Sequence, residues 1–222
     1  MVYGVLERLF TEVCPACGCS SRAGFCASCA RRFARLGQAC PYCALPLPQT
    51  TCPKLTAAWH VDFLTAPFAY RAPLDHFVLE LKFRKARRLG RALGLLLAAE
   101  LPDGREPVDA LVPMPLHPAR LRERGYNQAM EIARGVASAT ELALLHRGIR
   151  RVRATTPQTS SDAAHRRLNV AGAFAVERSL AGLRLAVIDD VVTTGATINA
   201  LARELKNAGA AAVVGWAVAR TP

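Results

Sequence analysis

Two adjacent carboxylates, Asp189 and Asp190, stand between an apolar run, Leu185-Ala186-Val187-Ile188, and a hydroxyl-rich turn, Thr193-Thr194-Gly195-Ala196-Thr197. The run reads as a buried strand, and Ile198 to Ala208 reads as a helix. A strand that passes through threonine and glycine into a helix start makes an anion site. Backbone N–H groups and the positive end of the helix dipole converge there, and threonine hydroxyls add donors. Carboxylates repel phosphate, so the acid pair must face another part of the ligand, a sugar diol or a metal with its waters. Phosphate on one side and diol on the other describes a ribose 5-phosphate. A plain strand-to-helix turn needs one capping side chain, not two acids followed by Thr-Gly-x-Thr.

The pattern apolar-Asp-Asp-x-x-x-Thr-Gly-x-Thr resembles the 5-phosphoribosyl-1-pyrophosphate (PRPP) motif of type I phosphoribosyltransferases. That resemblance implies that Asp189 and Asp190 meet the ribose hydroxyls and the water shell of Mg2+. It makes Thr193, Thr194, Gly195, Ala196 and Thr197 the contacts of the 5-phosphate, with Val191 also in the PRPP site.

The second constellation is sulfur. All eight cysteines lie between Cys14 and Cys52, and none follows. An extracellular disulfide scaffold would spread its bridges and would need a secretion signal. Met1 to Val13 instead carries Glu7, Arg8 and Glu12. The pairs Cys14-x2-Cys17, Cys26-x2-Cys29 and Cys40-x2-Cys43 have zinc-knuckle spacing. Cys14, Cys17, Cys26 and Cys29 make a four-thiolate set for one tetrahedral, structural Zn2+. Cys40, Cys43 and Cys52 make a second set with Leu55 where a fourth cysteine would stand; either Cys19, His60 or a different pairing order completes it, or the site has decayed.

A chain of 222 residues can bury one full core and a small accessory module. We place the cysteine module at residues 1–58 and the remaining α/β domain at 59–222. The 51% hydrophobic content excludes a disordered chain, and no run reaches membrane-spanning length, since Ala92 to Ala99 is closed by Arg91 and Glu100. A cytoplasmic location is expected. The net charge of +12 asks for a polyanionic partner.

The supporting elements follow in order. Trp59 to Tyr70 reads as strand, and Leu74, Phe77, Val78 and Leu81 space an amphipathic helix. Lys82 to Arg91 then carries six cations and no acid, with Phe83 available to stack on a base. Lys82, Arg84, Lys85, Arg87 and Arg88 thus form a candidate single-stranded DNA surface, or else a solvated helix face. Residues 102–107 read as a loop and Val108 to Val112 as a strand ending in Pro113-Met114-Pro115. Arg120, Arg122 and Arg124 follow at alternate positions beyond that strand and suit a second anion. Leu142 to Leu145 is a short strand. Arg147 to Asn169 reads as a long lid loop whose arginines, Arg166 among them, could close over a polyphosphate. Ala173 to Val176 should resume the sheet, and Ala211 to Ala219 is the last buried strand.

With these pieces in place, the chain from about Cys14 to Arg220 resembles the ComF/GntX family. The likeness rests on the CxxC knuckles, Leu81-Lys82-Phe83, Val112-Pro113-Met114-Pro115, Arg124-Gly125-Tyr126-Asn127-Gln128, Arg153 with Gln158, Arg166 with Asn169, and Asp189 to Thr197. It departs at Leu55, where the family usually has the last cysteine of four pairs. The resemblance implies a type I phosphoribosyltransferase-like parallel sheet flanked by helices, with an N-terminal zinc-ribbon module. It also implies a role in DNA uptake and natural transformation, beside competence-machinery proteins. Asp189, Asp190 and Arg166 would be the catalytic set, Pro113 and Met114 would approach the pyrophosphate, and Arg124 would bind it. Two rival functions stand beside this one: a non-catalytic single-stranded DNA binding protein, and a nucleobase salvage enzyme with an added zinc module.

Overall fold

The computed structural model describes residues 13–48, 52, 54, 59–101, 107–153 and 172–222. The chain builds a parallel sheet around the strand that carries the acid pair. Its strands are β1 (Leu64–Thr65), β2 (Phe68–Ala69), β3 (Ala110–Pro113), β4 (Ala143–Leu144), β7 (Arg184–Val192) and β8 (Ala212–Arg220). The order is β1-β8-β7-β3-β4, and β2 adds to the end of β8. Trp59 to Tyr70 therefore gives two short strands rather than one, interrupted at Ala66-Pro67, because proline has no N–H for the ladder.

Alternation along β7 divides the core. Ala186 and Ile188 face a layer of three helices, α2 (Leu74–Phe83), α3 (Arg88–Ala98) and α5 (Gln128–Thr140). Leu185 and Val187 face α6 (Ala196–Asn207) through Ile198, Leu201 and Leu205. α3 and α5 cross closely: a Cβ on Gly94 would lie 2.1 Å from the Ile132 carbonyl oxygen, and one on Gly135 2.4 Å from that of Arg91. Glycine is what lets those backbones meet.

The cysteine module is not a free appendage. Its short helix α1 (Ala27–Ala30) brings Cys14, Phe25, Cys29 and Phe33 into the same buried cluster as Phe68, Val78 and Leu93. Phe25 meets Phe33 and Phe77 edge-on, with ring centroids 5.0 and 4.9 Å apart.

Two expectations change. Ala173 to Val176 does not rejoin the main sheet: β6 (Phe174–Val176) pairs antiparallel with β5 (Ile149–Arg151) in a separate ribbon. The lid read over Arg147 to Asn169 accordingly begins as strand, because Ile149 and Phe174 are buried together under α6. The rest of that stretch, with Gln158, Arg166 and Asn169, lies outside the described residues.

Candidate functional site

β7 runs out at the acid pair, and its last residues turn into α6. Asp189 Oδ1 accepts from the Asp190 N–H at 2.9 Å, and Asp190 Oδ1 from the Val191 N–H at 2.7 Å. Parity sends the two side chains to opposite faces. Asp190 turns toward the three-helix layer, where Lys82 Nζ, from the last turn of α2, lies 2.9 Å from its Oδ1. The Asp190 side chain is 4% exposed and that of Lys82 21%. Burial works against the Lys82 charge, but the attraction of Asp190 prevails and holds the ammonium above its ordinary value. Asp190 Oδ2 is buried with no hydrogen-bond partner among the described residues.

Asp189 answers to a different environment. Burial first, then the charge of Asp190, push its carboxyl up to about 7, against the opposing charges of Lys82 and Arg151. Arg151 stands on β5 with its guanidinium 5.5 Å from the centre of the Phe174 ring, and feels both Asp189 and Arg120. The site thus sets two acids beside two cations drawn from distant parts of the chain.

The turn that follows leads from β7 into α6. Gly195 precedes α6 at φ 78°, a left-handed conformation that favours glycine, and Thr194 Oγ1 accepts from the Ala196 N–H at 3.3 Å. Thr193 is exposed, while Thr194, Ala196 and Thr197 are half-buried around the helix start. A Cβ on Gly195 would lie 2.5 Å from Cη2 of Trp59, so the indole props the turn from behind. Trp59 Nε1 in turn donates to the Tyr42 carbonyl at 3.2 Å, inside the second cysteine knuckle. His60 N–H donates to Asn199 Oδ1 on α6 at 2.6 Å. The cysteine module therefore buttresses this turn, a link the spacing of Trp59 did not reveal.

Across the strand ends, Pro113 and Met114 are buried beside β7, and the Met114 N–H donates to the Ile188 carbonyl at 2.9 Å. The Arg124-Gly125-Tyr126-Asn127-Gln128 run works as a joint. Gly125, at φ 85°, ends α4 (Pro118–Arg124), and Tyr126 donates to the Leu81 carbonyl. Asn127 caps α5 through the Ala129 N–H at 3.0 Å and donates from Nδ2 to Met114 O at 3.0 Å. Arg124 binds Gln128 and lies over the Phe83 ring at 5.6 Å. Of the three alternate arginines, Arg124 is thus engaged within this joint and Arg122 is exposed, while Arg120 lies near Arg151.

The basic stretch splits. Lys82 turns inward to Asp190, and Arg87 pairs with Glu131 at 2.9 Å. Arg84 keeps a 3.5 Å contact with Glu80, whereas Lys85 and Arg88 are exposed and Phe83 is 67% exposed. Lys82 thus stands beside the acid pair, apart from the exposed cations of the stretch.

Both cysteine sets close in space. In each set the sulfurs lie within 4.8 Å of one another: Cys14, Cys17, Cys26 and Cys29 in one, Cys40, Cys43 and Cys52 in the other. Soft thiolate donors at this spacing suit Zn2+. Cys19 Sγ lies 3.4 Å from Cys17 Sγ, which places it with the first set. Among the described residues neither Cys19 nor His60 joins the second.

No protein-family model matches the chain. It is 34% identical over 208 residues to the DNA utilization protein YhgH of Salmonella typhimurium strain LT2, covering 89% of this chain and 91% of that protein. The YhgH of Escherichia coli K12 is 31% identical over the same shares. Competence protein F of Haemophilus influenzae is 27% identical over 210 residues, 89% of this chain and 90% of that one. Among solved structures, a glutamine PRPP amidotransferase from B. subtilis complexed with ADP and GMP aligns over 60% of this chain and 26% of its own. Its identity is 22% and its TM-score 0.40. No helix among the described residues is long and apolar enough to cross a membrane. With two relatives above 30% identity over nearly its whole length, the chain belongs to the ComF family.

Proposed function

We propose that the protein binds PRPP with Mg2+ at the end of β7 and serves DNA uptake, with residues 59–222 as a phosphoribosyltransferase-like domain and residues 1–58 as its zinc-held support. The observation that carries this reading is the orphaned Asp190 Oδ2, a buried carboxylate oxygen fixed by Lys82 beside an anion turn. A buried acceptor without a donor is costly, and a ribose hydroxyl is the donor that a phosphorylated sugar would bring. Asp189, on the other face of the strand, would take the second hydroxyl or the water shell of Mg2+. Val191, Thr193, Thr194, Gly195, Ala196 and Thr197 would hold the 5-phosphate. Pro113, Met114 and Arg124 would lie on the pyrophosphate side, with Arg166 and Arg151 closing over it. Transfer would proceed by displacement at the anomeric carbon, with pyrophosphate leaving. Here the protein's part is to neutralise the leaving group and exclude water.

Thermal unfolding tests the reading. PRPP with Mg2+ at a hundredfold excess over Kd stabilises a single site by about 2.7 kcal/mol, and Asp190→Asn should abolish the shift. An unshifted wild-type protein would remove PRPP from the account.

The relatives' names speak of DNA utilization and competence, and the exposed Phe83, Arg84, Lys85 and Arg88 favour a single-stranded DNA partner on this chain too. Each phosphate neutralised on a single strand adds about −0.7 to the slope of log affinity against log salt. Replacing Arg84, Lys85 and Arg88 together by Gln should therefore flatten that slope by about 2. An unchanged slope would leave the patch as a solvated surface.

A further inference from the structure

Tyr42, Phe63 and Lys54 form a short stack where the second knuckle meets the edge of the sheet. The Tyr42 and Phe63 ring centroids lie 5.9 Å apart, with the ring planes inclined by 18°. Lys54 Nζ stands 3.7 Å from the centre of the Tyr42 ring. Among the described residues the other aromatic pairs meet edge-on, and Phe25, Phe33 and Phe68 among them are buried. The parallel pair is the exception, with Tyr42 36% exposed and Phe63 40%. Two adjacent rings left to water are apolar area that a partner can cover.

Both rings are set on fixed backbone. The Leu64 N–H donates to the Pro41 carbonyl at 2.8 Å, and the Gly215 N–H to the Phe63 carbonyl at 2.8 Å. The Tyr42 carbonyl holds Trp59 Nε1 at 3.2 Å. A guest would therefore meet rings already in place, which lowers the ordering cost of binding. Phe63, but not Tyr42, also lines a cavity of about 770 Å3 beside β1, with Pro41, Leu64, Val214 and Trp216 on its walls. That volume is in the range of ligand sites, about 300–1,000 Å3. A flat ring seated in it would lengthen the stack beyond Phe63. Glu100, paired with Arg35 through both oxygens, puts hydrogen-bonding groups at the cavity wall. A flat guest with polar edges fits these walls. The exposed Lys54 ammonium and the net charge of +12 ask that the guest also be anionic.

We infer that Tyr42 and Phe63 are a base-stacking platform for single-stranded DNA, with one base seated in the cavity beyond Phe63 and Lys54 serving a neighbouring phosphate. The inference rests on the single-stranded DNA reading above and adds a second contact, separate from the Phe83 to Arg88 surface. Stacking of this kind tolerates any base, because every base has a π-face.

Fluorescence anisotropy on the full chain tests it with two probes, a dA12 strand and an abasic strand of the same length. The abasic strand keeps the phosphates and lacks the rings. Phe63→Ala should weaken dA12 binding about 5- to 100-fold, leave the abasic strand unaffected and leave the salt slope unchanged. Phe63→Trp should restore the affinity. Lys54→Gln should instead flatten the salt slope by about 0.7, the share of one phosphate. Trp216 lines the same cavity, so dA12 should quench tryptophan emission in wild type and not in Phe63→Ala. Wild type that binds neither strand removes the DNA reading and the platform with it. Wild type and Phe63→Ala binding dA12 equally overturns the platform alone, as does an equal loss on both strands. A dimer that Phe63→Ala dissociates while dA12 affinity stays constant would assign the rings to a second copy, and also overturns it. Should Phe63→Ala fail to fold, Phe63→Leu, which keeps the apolar bulk and removes the π-face, is held to the same outcomes.

Discussion

Lys82→Met should cost about 3–5 kcal/mol of folding stability, because it leaves the Asp190 carboxylate buried without its cation. For a chain of this size that lowers Tm by roughly 10 °C. Urea unfolding, analysed for midpoint and slope, measures it. The argument turns on burial: an exposed pair would be worth about 0–1 kcal/mol, but the Asp190 side chain is 4% exposed and Lys82 meets it at 2.9 Å. Adding Asp190→Asn to Lys82→Met should recover most of the loss, since the uncompensated charge disappears with its partner. A loss of less than about 1 kcal/mol would place the pair with exposed surface ion pairs and undo the claim that Lys82 orients Asp190. The substitution carries a second readout. The Lys82 charge restrains Asp189, whose carboxyl stands at about 7. Removing it should move the Asp189 titration, followed by NMR, further upward.

The chemistry of β7 was legible in its residues because acid pair, threonines and glycine are contiguous, and a strand-turn-helix displays them together. The residues that complete the site were not. Lys82 sits among five other cations in sequence, so it reads as surface; only the pitch of α2 shows that it shares an inward face with Val78 and Leu81. Trp59 gives no sign of its task, since its partner Gly195 is a backbone position far along the chain. Arg151 falls in sequence within the stretch that reads as a loop, because Ile149 and Phe174 are too few apolar residues to announce a ribbon. Arg220 closes an apolar strand and would ordinarily reach for solvent, yet the fold leaves it 2% exposed. Contiguous motifs can be read locally, whereas these four positions acquire meaning only from contacts across long sequence separations.

Cys29→Ser should be more damaging than Lys82→Met, although it lies in the supporting module. Under the proposed zinc reading it breaks a four-thiolate set, and in zinc-finger peptides structural zinc supplies apparent binding energies of about 10–16 kcal/mol that are folding energy. The loss would not stay local. Cys14 and Cys29 are buried in one cluster with Phe25, Phe33, Val78 and Leu93, so releasing the ion exposes aromatic rings that pack against α2 and α3. α2 carries Lys82, and the same module presses Trp59 against Gly195. Loss of the ion should therefore lower Tm further than Lys82→Met does, with zinc release to a colorimetric chelator and increased binding of a hydrophobic dye. It should also erase any PRPP-dependent stabilisation. Asp190→Asn is the contrasting case, expected to lose the PRPP shift while keeping its zinc. If Cys29→Ser retained full zinc content and an unchanged Tm, the first cysteine set would be an ornament on the fold, and the support of the anion turn would have to come from the sheet alone.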